Sequence, residues 1–327
     1  MIVTRAPFRV SFFGGGTDHP KFFSKHGGAV LGTAINKYSY VTLNRLRHEL
    51  FDYSLKISYS KIEFAKNVAD IEHNIFRECL HHFKLDNGLA LHNVFDLPAL
   101  SGLGTSSSLT VSIINALQSH IDGKVDPKTL AESAIYVERE LVKSHVGWQD
   151  QIFASYGGFN LIQFSPNSTF EVTPVEFEDK YLAEFEGHLL LMYTNMQRQS
   201  SEIIERQLDR IEQNESILLQ MKELVFQAYS LLLKSADLCE FGKLLHESWL
   251  MKRSLDEQVS TREIDAIYEI GRANGALGGK LLGAGGGGFL LFFASPGSQE
   301  KIKSALPNNK FLKIKTKAAG SCLIFKE

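Results

Sequence analysis

Apolar positions alternate with polar ones in two register modes along this chain, and the change of mode marks its organisation. Residues 4–13 and 29–43 carry the β-branched and aromatic content of strands, and residues 89–95 form a third such run. Residues 107–121 place Leu109, Ile113, Ile114, Leu117 and Ile121 at helical spacing. The same reading predicts helices over 68–83, 128–142 and, briefly, 147–155. Gly157-Gly158 then turns the chain into a strand at 159–164. After about residue 180 the composition shifts. A compact strand is expected over 187–194, and one or two long helices over 200–234, dense in Leu, Ile, Glu and Gln. Helices over 241–252 and 261–274 follow. The end alternates again: a strand near Leu281, strands at 289–293, 310–316 and 322–325, and a helix at 298–305. Mixed strands with helices on one face give an α+β architecture in each half.

The length of 327 residues fits two intimate domains better than one core. A formal net charge of −2 argues against a dedicated nucleic-acid binder. No apolar run reaches the length of a membrane span, and residues 1–7 lack the apolar core of a signal peptide. Cys79, Cys239 and Cys322 are odd in number and far apart. They offer neither a disulfide framework nor a zinc pattern and suit a reducing cytoplasm.

Three glycine-rich segments carry the chemistry: Gly14-Gly15-Gly16-Thr17-Asp18, Gly102-Leu103-Gly104-Thr105-Ser106-Ser107-Ser108, and Gly283-Ala284-Gly285-Gly286-Gly287-Gly288. Glycine lets the backbone approach a ligand and aim its N–H groups at it, so the three suggest one polyanion-binding cleft built from distant segments. The second lies between a predicted strand and a predicted helix. Its hydroxyls fall at the helix N-terminus, where free N–H groups and the macrodipole favour phosphate, and where hydroxyl oxygens can ligate Mg²⁺. An N-cap needs one hydroxyl, and here there are four in a row. The spacing fits neither a Walker loop nor a serine-hydrolase elbow, and a dinucleotide loop would need glycine where Ser107 stands. Gly283-x-Gly285-x-x-Gly288 matches a dinucleotide fingerprint in letters but leads into a strand rather than a helix.

Residues 98–108 resemble the phosphate loop of the GHMP small-molecule kinases. Residues 6–18, Ala-Pro-Phe-Arg-Val-Ser-Phe-Phe-Gly-Gly-Gly-Thr-Asp, are similar to the family's N-terminal substrate motif, and residues 280–288 to its C-terminal motif. The resemblance implies an N-terminal domain like ribosomal protein S5 domain 2 over 1–182 and a ferredoxin-like domain over 183–327, with the cleft between them. It implies ATP as co-substrate, held at Gly102, Leu103, Gly104, Thr105, Ser106, Ser107 and Ser108. Mg²⁺ would sit on Ser106 and Glu138. Glu140 competes for that role, and a solvated helix face is the plainer account of both glutamates.

The resemblance assigns Asp150 as acceptor of the substrate's hydroxyl proton, with Arg9 beside it as a stabilising guanidinium. A helix-start carboxylate is the plainer account of Asp150. Substrate contacts are implied for Gly14, Gly15, Gly16, Thr17 and Asp18, and for Gly285 and Gly286. Asp18 can accept two hydroxyl bonds, or simply close an Asx-turn. Within the family the N-terminal motif resembles the branch acting on heptose phosphates, because galactokinases carry Glu and His where this chain has Gly15 and Gly16. That branch implies a small-molecule sugar phosphate as partner, phosphorylated at the anomeric hydroxyl of a heptose 7-phosphate. Arg198 is the leading candidate for the substrate's phosphate, with Lys21 and Lys25 behind it. A kinase for a fucose- or galactose-like sugar and a non-catalytic sugar-binding regulator are the rival readings. A monomer and a homodimer both remain open.

Overall fold

The computed structural model describes residues 1–121, 123–196 and 200–327. Among them an eight-stranded sheet takes β1 (Ile2–Phe13), β2 (Gly28–Arg45), β3 (Leu55–Ser58), β4 (Ile62–Ala65), β5 (Leu89–Phe95), β6 (Phe159–Phe164) and β7 (Phe170–Pro174). A four-stranded sheet holds β8 (Leu189–Tyr193), β9 (Ala276–Leu281), β10 (Phe289–Ala294) and β11 (Lys310–Leu312). The last strand, β12 (Cys322–Lys326), returns to the first sheet and pairs with β1. The first sheet runs β12-β1-β2-β5-β3-β4, with β6 and then β7 attached beside β2. Its strands are antiparallel except β3 against β5. The second runs β11-β8-β10-β9, antiparallel throughout.

The helices in chain order are α1 (Pro20–His26), α2 (Asn74–Phe83), α3 (Thr105–Ile121), α4 (Pro127–Tyr136), α5 (Gln149–Tyr156), α6 (Asp179–Gly187), α7 (Ser200–Asp209), α8 (Glu215–Leu233), α9 (Leu238–Ser254), α10 (Arg262–Ala273) and α11 (Pro296–Ala305). The pattern over 68–83 divides, because the Asn67–Asp70 capping box closes one isolated turn before α2 begins. The pattern over 128–142 begins at Pro127, capped by Asp126, and ends in a π-turn at Val137–Leu141. The segment 200–234 is two helices, α7 and α8. The strand expected over 310–316 pairs only as far as Leu312. Beyond it, the Lys315 N–H is taken by the Asn36 side chain and the Thr316 N–H by Glu186. The sequence pattern missed α1, α6, β3, β4 and β7, which are short or polar.

Phenylalanines join the two sheets. Phe12 of β1 stacks on Phe159 of β6 at 5.4 Å and meets Phe241 of α9 edge-on at 5.6 Å. Phe241 in turn lies 5.0 Å from Phe185 of α6 and 5.1 Å from Phe293 of β10. All five are buried. Edge-to-face and offset pairs at these separations add to the area they bury.

β1 changes phase along its length. Strict alternation would put residues 4 and 9 on opposite faces. Yet Thr4 donates to the Ser112 carbonyl of α3, and Arg9 reaches Asp150 of α5, which packs against α3. The register irregularity between Pro7 and Phe8 supplies the change. The same point is pinned by Ser108, whose hydroxyl donates to the Pro7 carbonyl at 2.7 Å. We expect Ser108→Ala to lower unfolding stability by about 1–2 kcal/mol, because it leaves a buried carbonyl unpaired. Ser106→Ala, on the exposed side of the same turn, should stay within about 0.5 kcal/mol of the parent in urea titrations.

Candidate active site

The loop between β5 and α3 meets the third glycine segment backbone to backbone. Gly102 has φ +77°, and a Cβ there would fall 2.4 Å from the Leu282 carbonyl oxygen. Gly283 has φ +72°, and its Cβ would fall 2.6 Å from the Gly102 Cα. Only glycine meets both demands at both positions. The Phe289 N–H donates to the Ser101 carbonyl at 3.1 Å and fixes the contact. The N-terminus of α3 is thereby held against the second sheet, and the cleft opens between them.

Arg9 is the hub of this cleft. Its Nε donates to Asp150 Oδ1 at 2.8 Å and its Nη2 to Asp150 Oδ2 at 2.7 Å. Its Nη1 donates to the Gly102 carbonyl at 2.6 Å, and its backbone N–H to the Leu103 carbonyl at 3.0 Å. The planar fork suits this bidentate geometry. Burial pushes the Asp150 carboxyl above its ordinary value. Arg9 pulls it back down, and the Asp18 carboxylate nearby pushes it up.

Glu138 lies behind the loop, 1% exposed, whereas Glu140 is exposed. Glu138 continues the buried line of Leu130 and Ala134 at four-residue steps and stands within the π-turn, a feature often found at functional sites. The Glu138 carboxylate accepts from Ser107 Oγ at 2.8 Å, from Thr110 Oγ1 at 2.8 Å and from Gln151 Nε2. Ser106 Oγ is 3.5 Å away and exposed. Burial pushes the Glu138 carboxyl up, and its three hydroxyl and amide donors oppose that. Among the described residues no Lys, Arg or His forms an ion pair with Glu138, and no group of three acidic, His or Cys side chains gathers there. An acceptor-only carboxylate beside an exposed hydroxyl is a hard oxygen pair. It fits Mg²⁺, which takes one or two protein oxygens and completes its shell with phosphate and water.

Asp18, 2% exposed, lies on the other side of the cleft. It accepts from the Gly16 N–H at 3.0 Å and, more weakly, from the Gln149 N–H at 3.3 Å. The first bond comes from two residues before Asp18, so it is not the Asx-turn, which would take the N–H two residues after it. The second ties it to the start of α5, beside Asp150. Gly15 and Gly16 line the cleft with it, as do Gly102, Gly104, Thr105, Ser106 and Ser107.

Several expected contacts point elsewhere. Ser108 spends its hydroxyl on Pro7 and its N–H on the Gly104 carbonyl. Leu103 is buried in the core. The Thr17 hydroxyl lies 2.8 Å from the carbonyls of Gly14 and Ala29 and accepts from the Ala29 N–H, so Gly14 and Thr17 brace the loop from within. Gly285 lines the cleft, but the Gly286 N–H is given to the Val259 carbonyl. Arg198 lies outside the described residues. Lys21 is exposed and donates to the Leu208 carbonyl, and Lys25 is an exposed partner of Glu215; neither lines the cleft.

The structure adds residues that the sequence pattern did not single out. His19, Gln149, Lys252 and Lys280 all line the cleft. Lys280, 2% exposed, donates to the Phe12 carbonyl at 2.9 Å. Burial pushes its ammonium down to about 7, Arg9 adds to this and Asp18 opposes it. Lys252, 6% exposed, donates to the carbonyls of Leu281 and Gly283 and so clamps the third glycine loop. Burial also lowers His19, whose Nδ1 has no partner. A lysine inside the apolar run Lys280-Leu281-Leu282 was the one available signal.

A helix N-terminus bearing hydroxyls, a carboxylate held by a guanidinium and a second carboxylate thus face one opening. That set can hold a polyanion and accept a proton beside it. Comparison with known proteins places the chain in a family. Residues 63–158 match the GHMP kinases N terminal domain, and residues 229–312 match the GHMP kinases C terminal domain. The D-glycero-alpha-D-manno-heptose 7-phosphate kinase of Campylobacter jejuni subsp. jejuni is 31% identical, covering 93% of this chain and 93% of its own. A crystal structure of a D-glycero-D-manno-heptose 1-phosphate kinase from Bacteroides thetaiotaomicron superposes with a TM-score of 0.80 at 22% identity, covering all of both chains. A putative sugar kinase from Campylobacter jejuni does so at 0.71 with 28% identity, covering 99% of this chain and 98% of its own. Among the described residues no helix is long and apolar enough to cross a membrane. With both family domains matched in order and a relative aligned over nearly its whole length, the chain belongs to the GHMP kinases.

Proposed function

We propose that this kinase transfers the γ-phosphoryl group of ATP to the anomeric hydroxyl of D-glycero-α-D-manno-heptose 7-phosphate, giving the 1,7-bisphosphate. The observation that carries the reading is Arg9, which bonds Asp150 and the phosphate loop at once. The 31%-identical heptose kinase of Campylobacter jejuni supports the choice of sugar. So do Gly15 and Gly16 on the acceptor side, where absent side chains leave room for a large sugar. The two-part division at 1–182 and 183–327 belongs to the same reading, with β12 added to the first part.

In this scheme the triphosphate lies on Gly102, Gly104, Thr105, Ser106 and Ser107, along the positive end of α3. Asp18 accepts hydrogen bonds from sugar hydroxyls. Asp150 accepts the proton of the C1 hydroxyl as its oxygen attacks phosphorus, the C1–O–P bond forms and the bridging oxygen leaves with ADP. Both Asp150 oxygens already take one bond from Arg9, yet each keeps lone-pair capacity for the substrate proton. Its raised proton affinity brings it nearer the working pH of a general base. Arg9 stabilises the carboxylate before transfer and the developing alkoxide during it. Ser106 and Glu138 would hold Mg²⁺, which supplies neutralising charge to the phosphates when bound.

Asp150→Asn should lower kcat by about 10³-fold while nucleotide affinity, followed by fluorescence titration, changes little. Near-parental turnover would remove Asp150 from the base role. Glu138→Gln should raise the Mg²⁺ concentration for half-maximal activity by about tenfold, and Glu140→Gln should leave it unchanged. An ADP-release assay over a panel of sugars and sugar phosphates tests the substrate directly. Heptose 7-phosphate should give the highest kcat/KM, and turnover of a free hexose alone would overturn the assignment.

A further inference from the structure

Lys280 is a buried cation with less bonding than its charge requires. It stands near the end of β9 in the second sheet, and its side chain crosses to the Phe12 carbonyl of β1 in the first. An ammonium has three N–H donors, and this carbonyl takes one. Among the described residues no carboxylate forms an ion pair with Lys280. A buried charge left so poorly compensated is costly and is kept where it has work to do. Lys252 provides the contrast within the same wall. It bonds two carbonyls of the third glycine loop and holds that loop in place.

The surroundings of Lys280 say which anion it would meet. Arg9 on β1 pushes its proton affinity down and Asp18 raises it, while Lys252 on α9 feels it as a like charge. Asp150 of α5 is already neutralised by the Arg9 guanidinium. Arg9 spans the phosphate loop and Asp150, so a cation beside Arg9 lies next to the line from nucleotide to base. A heptose 7-phosphate carries its own phosphate at the opposite end of the sugar from C1. That phosphate is therefore remote from Asp150 when C1 is presented to it.

We propose that Lys280 is a catalytic residue, its ammonium donating to an oxygen of the phosphoryl group as that group passes from ATP to the acceptor hydroxyl. The assignment rests on the kinase reading above. It gives the cleft a cation on the second sheet to match Arg9 on the first, so transfer requires both sheets to present their charges together.

The test compares Lys280→Met and Lys280→Arg with the parent, using the full chain, ATP, Mg²⁺ and whichever acceptor the sugar panel identifies. Lys280→Met should lower kcat by about 10²–10³-fold with the KM for ATP nearly unchanged, since the bond is made in transit. Lys280→Arg should recover at least about tenfold of that loss. In the parent the ammonium must be protonated. With its pKa at about 7 in the free enzyme, kcat/KM should fall as pH rises above that value. Lys280→Arg stays charged and should flatten this alkaline limb. Thermal unfolding should show Lys280→Met as stable as the parent or more so near pH 7, since a buried charge has been removed.

Turnover of Lys280→Met within about threefold of the parent would overturn the proposal. So would an alkaline limb that persists unchanged in Lys280→Arg, or a joint loss of activity and melting temperature in both variants. If the parent turns over no sugar at all, the kinase reading fails first. The extra stabilisation that aluminium fluoride, a mimic of the phosphoryl group in transit, adds to ADP and Mg²⁺ at pH 6.5 then decides on Lys280. Loss in Lys280→Met with retention in Lys280→Arg supports an anion site, and equal stabilisation of all three rejects it.

Discussion

One guanidinium holds this cleft together. Arg9 makes two bonds to Asp150, one to the Gly102 carbonyl and, through its backbone, one to the Leu103 carbonyl. Three elements far apart in sequence therefore share one rigid fork: β1, the loop before α3, and α5. A buried ion pair of this kind contributes little net stability, because desolvation offsets most of the attraction. What it fixes is geometry. Removing either partner leaves a charge in a place that water reaches poorly, so the pair holds loop and base at one separation. The phase change at Pro7 is part of the same device, since without it Arg9 would face the other side of the sheet.

The rest of the fold underwrites that arrangement. The phenylalanine cluster across β1, β6, β10, α6 and α9 welds the two sheets into one core. The cleft sits above this weld, with one wall from each sheet. Asp18, Lys252 and Lys280, polar groups that are costly to bury, line those walls, and Glu138 is buried behind the phosphate loop. Concentrating uncompensated charge at a site while apolar packing stabilises the remainder is the distribution expected of a catalyst.

The parts of this site that a reader of the sequence can find are those whose signal is local. Four hydroxyls behind two glycines announce a helix N-terminus built for an anion, and α3 starts at Thr105 as that pattern requires. The resemblance to GHMP kinases brought Arg9 and Asp150 into view, and the structure joins them although 141 residues separate them. The choice between Glu138 and Glu140 could not be made from Glu-Arg-Glu alone, because it depends on which face of the helix packs inward, the one that Leu130, Ala134 and Glu138 share. Ser108 looked like its neighbours, and only the packing of α3 on β1 shows that its hydroxyl is committed to Pro7. Lys252 and Lys280 were passed over because a lysine reads as a surface residue until tertiary contacts bury it. Lys21 and Lys25 did turn outward, which is why they carry no part of the cleft.

The pattern of pairing also explains why the opposite charges in the cleft do not simply cancel. Asp150 is paired with Arg9 through one bond to each oxygen, and Asp18 is held by backbone N–H groups of Gly16 and Gln149. Each carboxylate is stabilised as an anion by a partner on its own wall. Lys280, anchored to the Phe12 carbonyl, is thereby prevented from collapsing onto either carboxylate. The cleft stays open as a set of oriented, partly satisfied charges. Such preorganisation is costly to the folded chain and advantageous to a reaction that moves a phosphoryl anion between two oxygens, because no group need swing into place at the moment of transfer.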